Sequence, residues 1–514
     1  MEIEAEILDP FQLHYSDLIL LSSVSTFSDS SEQEDIARLD SISKTILETL
    51  GPTGPGLLVV TGVPQGSQLR SNLLPFARQL ALLNPYDCRR ILKDHGLGTD
   101  VCLKNPDRAV SSFAFQLKYV QDTSVNISSN ESVEKSEENS EGQKNVDRLC
   151  KFQDDKFKKV GNSFKELGFC LMDIGLQLAR MLDKAIGGKE LEQSILESRT
   201  AKGRLIHYHS TLDHHLLIEA ARREVSVKGR ANCRVQLRQK LKFHREEDQT
   251  LVKASELKTS LNEATSCRIS LSNLWQQWHY DYGIFTILTT PMFMSSYQLS
   301  TTEANEQECS PPDGHINLLI FDANKNKIYV VRSPPNSFVV QVGESADILS
   351  KGKLHSTLHS VCRPTKRDDL SRDTFVVFLQ PAWDKRFSIS QHPVESRISD
   401  TLRLDTSEQD PDVLNQEIHR IIPALSSRLK DGMTFAEFSH QTTKQYYGGN
   451  GVQSKRKRGN VSISNQSHWR KRSAFSCFMF TSHFVPKAAH PHTKKERKKS
   501  QKRNKRLAHT KSKK

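Results

Sequence analysis

The chain reads as an α+β protein, with a jelly-roll or barrel core, an N-terminal helical region and polar insertions. Two observations predict this class. Helical periodicities dominate the first 200 residues, and short β-branched or aromatic runs bounded by Gly, Pro, Asn or Asp dominate the stretch after them. A third observation, long polar stretches without apolar periodicity, marks the insertions.

The elements follow in chain order. Residues 35–50 place Ile36, Leu39, Ile42, Ile46, Leu47 and Leu50 on one helical face, with Gly51 as the stop. After the turn Pro52-Thr53-Gly54-Pro55-Gly56, Leu57–Pro64 reads as a short buried strand. A second helix is predicted over 70–83 from Leu73, Phe76, Ala77, Leu80 and Leu83. Residues 122–148 turn to Ser, Asn, Glu and Lys and are expected to be disordered. The clearest helix spans 163–186, with Phe164, Leu167, Leu171, Ile174, Leu178, Met181 and Ala185 at steps of three and four before Gly187-Gly188. Arg204–Tyr208 is a strand candidate, followed by a polar, partly helical insert over 211–268. Further strands are expected at 316–321, 328–331, 337–342 and 374–380, with Asn324-Lys325-Asn326 turning the first pair. Helix returns at 411–430 and 435–446.

Charge is unevenly placed. Residues 451–514 hold 20 Lys and Arg against one acidic residue, a net of +19, so the first 450 residues carry −6 of the total +13. The basic character belongs to a tail. Lys455-Arg456-Lys457-Arg458 is similar to a nuclear-import cluster, and the tail suits polyanions in general; a further reading is that it does not belong to the native chain. Nine cysteines without CxxC spacing argue against a disulfide framework or a zinc site, and are expected to be buried or inert. With no signal-like start and no membrane-length apolar run, the expectation is a cytoplasmic protein, with nuclear placement open through the tail.

The chemistry starts at Trp278-His279-Tyr280-Asp281. In a strand, side chains alternate between faces, so His279 and Asp281 point the same way, and they supply two of the three ligands of a 2-His-1-carboxylate Fe(II) site. A second histidine is needed, and both His355 and His359 follow the strand Phe338–Val342. Beyond them Arg372 and Thr374 share a strand face, where a guanidinium fork with a nearby hydroxyl suits a carboxylate.

Together these blocks resemble the plant 2-oxoglutarate- and Fe(II)-dependent oxygenases, the isopenicillin-N-synthase-like superfamily. The resemblance covers Leu57–Pro64 and Arg204–Pro381 in broken, order-preserving blocks, with Asn336–Val361 the most specific. It implies a double-stranded β-helix in which His279, Asp281 and His359 ligate iron. It further implies that Arg372 and Thr374 hold the distal carboxylate of 2-oxoglutarate, with Tyr208 as a further donor. His355 then falls at a surface position. The implied cofactors are Fe(II), 2-oxoglutarate and O2, and the implied reaction is oxidation of a C–H bond of a small organic substrate. The chain departs from the pattern at Ser360, Thr374, Glu344, and at His207 and His209 beside Tyr208. A longer interval separates Asp281 from His359, with 300–314 as the expected insertion.

The chain is thus divided into an N-terminal dioxygenase-like region (1–121), a linker (122–149), a helical region (150–203), an oxygenase domain (204–450) and a basic tail (451–514). Two alternatives stand beside the oxygenase reading. One is a non-catalytic interaction protein that keeps the fold. The other is a nuclear oxygenase acting on nucleic acid or protein, reached through the tail.

Overall fold

Among the described residues of this computed structural model, sixteen strands follow in chain order. β1 (Glu2–Leu8), β2 (Gln12–His14) and β3 (Leu57–Thr61) come first, then β4 (Gly98–Thr99), β5 (Val110–Lys118) and β6 (Thr200–Tyr208). β7 (Ser266–Ser270), β8 (Leu274–His279), β9 (Phe285–Thr289), β10 (Met292–Ser295) and β11 (Glu308–Cys309) follow. The last are β12 (Leu318–Asp322), β13 (Lys327–Val331), β14 (Phe338–Val342), β15 (His359–Cys362) and β16 (Leu370–Leu379). The structure describes residues 2–23, 33–119, 155–230, 266–295, 308–364, 367, 369–389, 392 and 421–447. The expected linker, most of the insert after 230, the start of the 411–430 helix and the tail lie outside them.

The strands form two sheets. The smaller runs β7-β1-β13-β12-β15-β8; the larger runs β2-β3-β14-β9-β16-β6-β5-β4, with β10 and β11 continuing from β16. From β13 onward the chain changes sheet at every strand: β13 small, β14 large, β15 small, β16 large. That alternation is the winding of a double-stranded β-helix. The fold class read from the sequence is the one observed.

Alternation of side chains along each strand decides what each face meets. Ile206, Tyr208, Leu288, Val339 and Val376 of the larger sheet pack with Trp275, Leu318, Ile320, Val331 and Val361 of the smaller one, and line the space between the sheets. Leu205, Ile287, Val340, Phe375 and Val377 point the other way, onto the helical layer. The helix Val160–Ile186 dominates that layer and ends at Gly187, whose φ of 72° is the left-handed cap its glycine permits. A side chain at Gly175 would strike Leu379 and Ile287, so glycine there lets the helix lie close on the sheet.

Two expectations change. The helix anticipated over 70–83 is two helices, Gly66–Leu73 and Pro75–Leu82. Pro75 lacks an N–H and sits at the first turn of the second, where that donor is not needed. The front of the chain is also woven into the sheets rather than set outside them: β1 pairs with β7 and β13, and β3 with β14.

Candidate active site

The interior face of the larger sheet and the edge of the smaller one bring the candidate residues together. β8 ends at His279, so Asp281 lies just past the strand and the alternation argument for the pair does not apply. The two converge anyway. His279 and His359 stand opposite one another on β8 and β15, with ring centroids 4.2 Å apart. Asp281 Oδ1 lies 3.7 Å from His279 Nε2, and Asp281 Oδ2 lies 3.7 Å from His359 Nε2. All three residues are buried.

The opposite ring nitrogens are held. His279 Nδ1 lies 2.8 Å from the Gln277 carbonyl and His359 Nδ1 lies 3.1 Å from the Thr357 carbonyl. A proton on each Nδ1 leaves each Nε2 with a lone pair, the tautomer that a metal ligand requires. Asp281 is fixed in turn by Thr286, whose hydroxyl donates to Oδ2 at 2.6 Å. Burial, with His359 as the next cause, pushes His279 down to about 4, so its ring is neutral near pH 7. His355 is part-buried in the segment before β15 and is not in this cluster.

The carboxylate-binding residues lie along the same interior. Arg372 on β16 and Tyr208 on β6 are register partners, and the guanidinium sits 5.1 Å from the centre of the Tyr208 ring. Arg372 is 1% exposed and donates from Nε to the Ile316 carbonyl at 3.2 Å. Thr374, two residues on, donates its hydroxyl to the Thr289 carbonyl at 3.3 Å. The Tyr208 hydroxyl donates to Gln276 Oε1 at 2.9 Å, and Gln276 Nε2 lies 2.8 Å from His279 Nε2. One amide thus bridges the tyrosine and the triad.

Sequence reading missed Gln276 and Thr286. A register shift in the β8–β15 ladder turns Gln276 and His279 to the same side, although they stand three positions apart. Nothing in the local sequence signals that shift. Thr286 carries no signal either, because its role depends on the turn that folds β9 back toward Asp281.

Behind the Arg372–Tyr208 pair, on the helical face of the same strands, lies a second cluster of similar composition. His207 Nδ1 is 2.6 Å from Asp373 Oδ1 and His207 Nε2 is 3.3 Å from Asp213 Oδ2. His209 Nε2 pairs with the Ser111 hydroxyl at 2.9 Å. Arg78 donates to Asp213 at 3.0 Å, and Arg108 donates to Ser111 at 2.9 Å. Burial opposes a charge on His207, but Asp373 and Asp213 outweigh it and hold the ring up at about 9. His209 goes the other way, driven far down by burial and then by the charge on His207. His214 and His215, beside Asp213, do not enter either cluster. Cys88 and Cys362 are buried as expected, whereas Cys102 is exposed.

Residues 266–381 match the 2OG-FeII_Oxy family, described as the 2OG-Fe(II) oxygenase superfamily. No curated protein matches the chain. Among solved structures the chain resembles the dioxygenase for auxin oxidation 1 from Arabidopsis thaliana in its complex with 2-oxoglutarate. Identity there is 14%, over 74% of this chain and 94% of that one, with a TM-score of 0.38. The rice dioxygenase for auxin oxidation gives 16% identity over 79% of this chain and 99% of that one, also with a TM-score of 0.38. Scores and identities this low carry neither protein's substrate to this chain. The cofactors of the matched superfamily are Fe(II), 2-oxoglutarate and O2, and the two imidazoles and one carboxylate brought together here are the donor set that such an iron takes.

Proposed function

We propose, from the place of residues 266–381 in the 2OG-Fe(II) oxygenase superfamily, that the protein is a 2-oxoglutarate-dependent dioxygenase oxidising a C–H bond of a small organic molecule. The observation that carries this reading is the convergence of His279, Asp281 and His359, with Nδ1 of each histidine held by a backbone carbonyl. In this reading the three side chains would hold iron, which together with 2-oxoglutarate would supply the activation of O2.

The chain's own residues then have separate tasks. His279 and His359 present Nε2, each with its Nδ1 held by a backbone carbonyl. Asp281 supplies the negative charge, kept in place by the Thr286 hydroxyl. Arg372 offers a buried guanidinium to the distal carboxylate of 2-oxoglutarate, with Thr374 and Tyr208 as hydroxyl donors beside it. A metal held at His279 Nε2 would take the place that Gln276 Nε2 occupies, and the same amide accepts from the Tyr208 hydroxyl, so Gln276 lies between the triad and the carboxylate-binding residues. The walls between the sheets, Leu288, Val339, Val376 and Trp275, exclude water from the space the substrate would share.

A kinship to plant members of the superfamily, which the resemblance of the sequence blocks supports, is part of the same proposal. So is placement in the cytoplasm. Action on nucleic acid or a nuclear protein rests on the tail alone and has no support among the described residues. No helix among them is long and apolar enough to cross a membrane.

The test is release of succinate from 2-oxoglutarate by the purified full chain. Turnover that needs Fe(II) and is lost in Asp281→Ala agrees with the proposal. Failure of the anaerobic protein to take up iron ends it.

A further inference from the structure

The interior face of β6 carries more than Tyr208. Successive interior positions are Tyr208, Ile206, Arg204 and Lys202, by the two-residue alternation. Arg204 is 4% exposed and is the register partner of Val376, inside the barrel and not on its outer surface. At a rise of about 3.3 Å per residue, its backbone stands about 13 Å along the strand from Tyr208 and Arg372. It is therefore not part of the group proposed for 2-oxoglutarate. The row next to it holds Phe378, Lys202 and Thr286, and Thr286 is the residue that ties down Asp281.

Its own hydrogen-bonding is incomplete. Arg204 faces Asp100 Oδ2 at 2.8 Å, while Lys202 takes Asp100 Oδ1 at 3.2 Å. The Arg204–Asp100 contact lacks hydrogen-bond geometry, and both Arg204 Nε and Asp100 Oδ2 have no hydrogen-bond partner. Two other buried polar atoms on this interior face, Ser112 Oγ on β5 and Gln341 Nε2 on β14, are also unpartnered. A buried donor left unmade is costly, so such groups mark a place where a polar ligand completes the set. Phe378 lies under the guanidinium, 5.4 Å from ring centre to Cζ, and Val376, Leu288 and Val339 wall the same space with hydrocarbon. Exposure rises from Arg204 to Lys202 and Gln116, so this end of the interior is the open one.

We infer that Arg204 is a substrate-binding residue and that the primary substrate is a small organic acid, with its carboxylate on Arg204 and its apolar body against Phe378 and Val376. A planar guanidinium over an aromatic ring matches a carboxylate in two parallel hydrogen bonds, which no neutral isostere accepts. This inference rests on the oxygenase reading, because it takes the space between Arg204 and the triad as the substrate chamber.

The experiment is calorimetry on the full chain loaded anaerobically with Fe(II) and 2-oxoglutarate. Octanoate, cinnamate and 3-phenylpropionate are each titrated against the corresponding primary amide. The expected result is at least one acid binding about tenfold tighter than its amide, a preference of the size a charge-assisted pair supplies. Arg204→Gln abolishes that preference and leaves 2-oxoglutarate binding unchanged. Asp100→Asn removes the competing carboxylate and tightens the acid several-fold, a direction that a purely structural ion pair would reverse. Amides binding as well as acids, no acid binding at all, or a preference that survives Arg204→Gln overturns the inference. If 2-oxoglutarate itself does not bind, the oxygenase reading falls first, and the two failures are told apart in one titration series.

Discussion

Among the described residues two buried clusters contain two histidines and an aspartate, each with candidate ligand atoms within 4.8 Å of one another, yet their chemistry differs. In the His279–Asp281–His359 cluster one carboxylate faces two imidazoles, and both Nδ1 atoms are taken by backbone carbonyls. Burial then keeps His279 neutral, so its lone pair is available. In the His207–His209–Asp213 cluster two carboxylates, Asp213 and Asp373, flank one imidazole. A proton on His207, with Arg78 on Asp213, balances both negative charges. The first arrangement suits a metal; the second favours a proton on His207. Residue type does not separate them, but the number of carboxylates per imidazole does.

The sharpest way to break the comparison is to delete the aspartate from each cluster. Asp281→Ala should abolish iron binding and lower 2-oxoglutarate turnover by more than about a thousandfold, the rate equivalent of roughly 4 kcal/mol. Asp213→Ala should leave the iron content per chain unchanged. Metal analysis of the two variants decides the matter. Loss of metal on removing Asp213 would mean that both clusters are metal sites.

The proton in the second cluster has its own consequence. His207→Gln leaves Asp213 and Asp373 buried with Arg78 as the remaining cation of the group, and should cost about 3–5 kcal/mol in urea unfolding. Adding Asp373→Asn restores the balance, because Asp213 and Arg78 then cancel and two amides face each other. The double variant should recover most of the loss, a coupling that a cycle of the four proteins measures directly. Strictly additive losses would show that packing, and not charge, is the cause.

The pH dependence follows from the same group. The His207 folded-state value, about 9, lies above its ordinary 6.5, so the folded chain binds the extra proton. Its contribution is fully present below about pH 6.5 and is lost as pH rises through about 9; the difference corresponds to about 3 kcal/mol. The melting temperature should fall between pH 7 and pH 10 in the native protein, and fall less in His207→Gln. A parallel decline in both would remove His207 as the source.

How much of this was legible in the sequence depends on how far apart the partners lie. The fold class could be read because strand and helix periods are local. His279 and Asp281 stood out because the His-x-Asp spacing is itself local, even though the strand ends between them. His359 was preferred over His355 by resemblance alone. The second cluster was not legible: His207 meets Asp373 across 166 positions, and only the pairing of β6 with β16 joins them. Asp213 sits in the polar stretch after 211, where an acidic residue carries no signal of its own. Arg204 gave no signal, since an arginine in a strand reads as solvent-facing until the register shows which side is the interior.

The smallest effect expected is the most specific to the first cluster. Thr286 touches Asp281 through one hydroxyl hydrogen bond of 2.6 Å, and Val keeps its shape without the donor. Thr286→Val should therefore weaken iron binding by about 10- to 100-fold, the usual cost of losing an outer partner of a metal ligand, while leaving the melting temperature of the metal-free chain near that of the native protein. The carboxylate would lose its orientation but not its charge. Thr286 faces the interior and His207 the helical layer, so this variant should also leave the fall in stability above pH 7 untouched. An iron titration and a pH series on the same variant together establish whether the two faces of the larger sheet act independently.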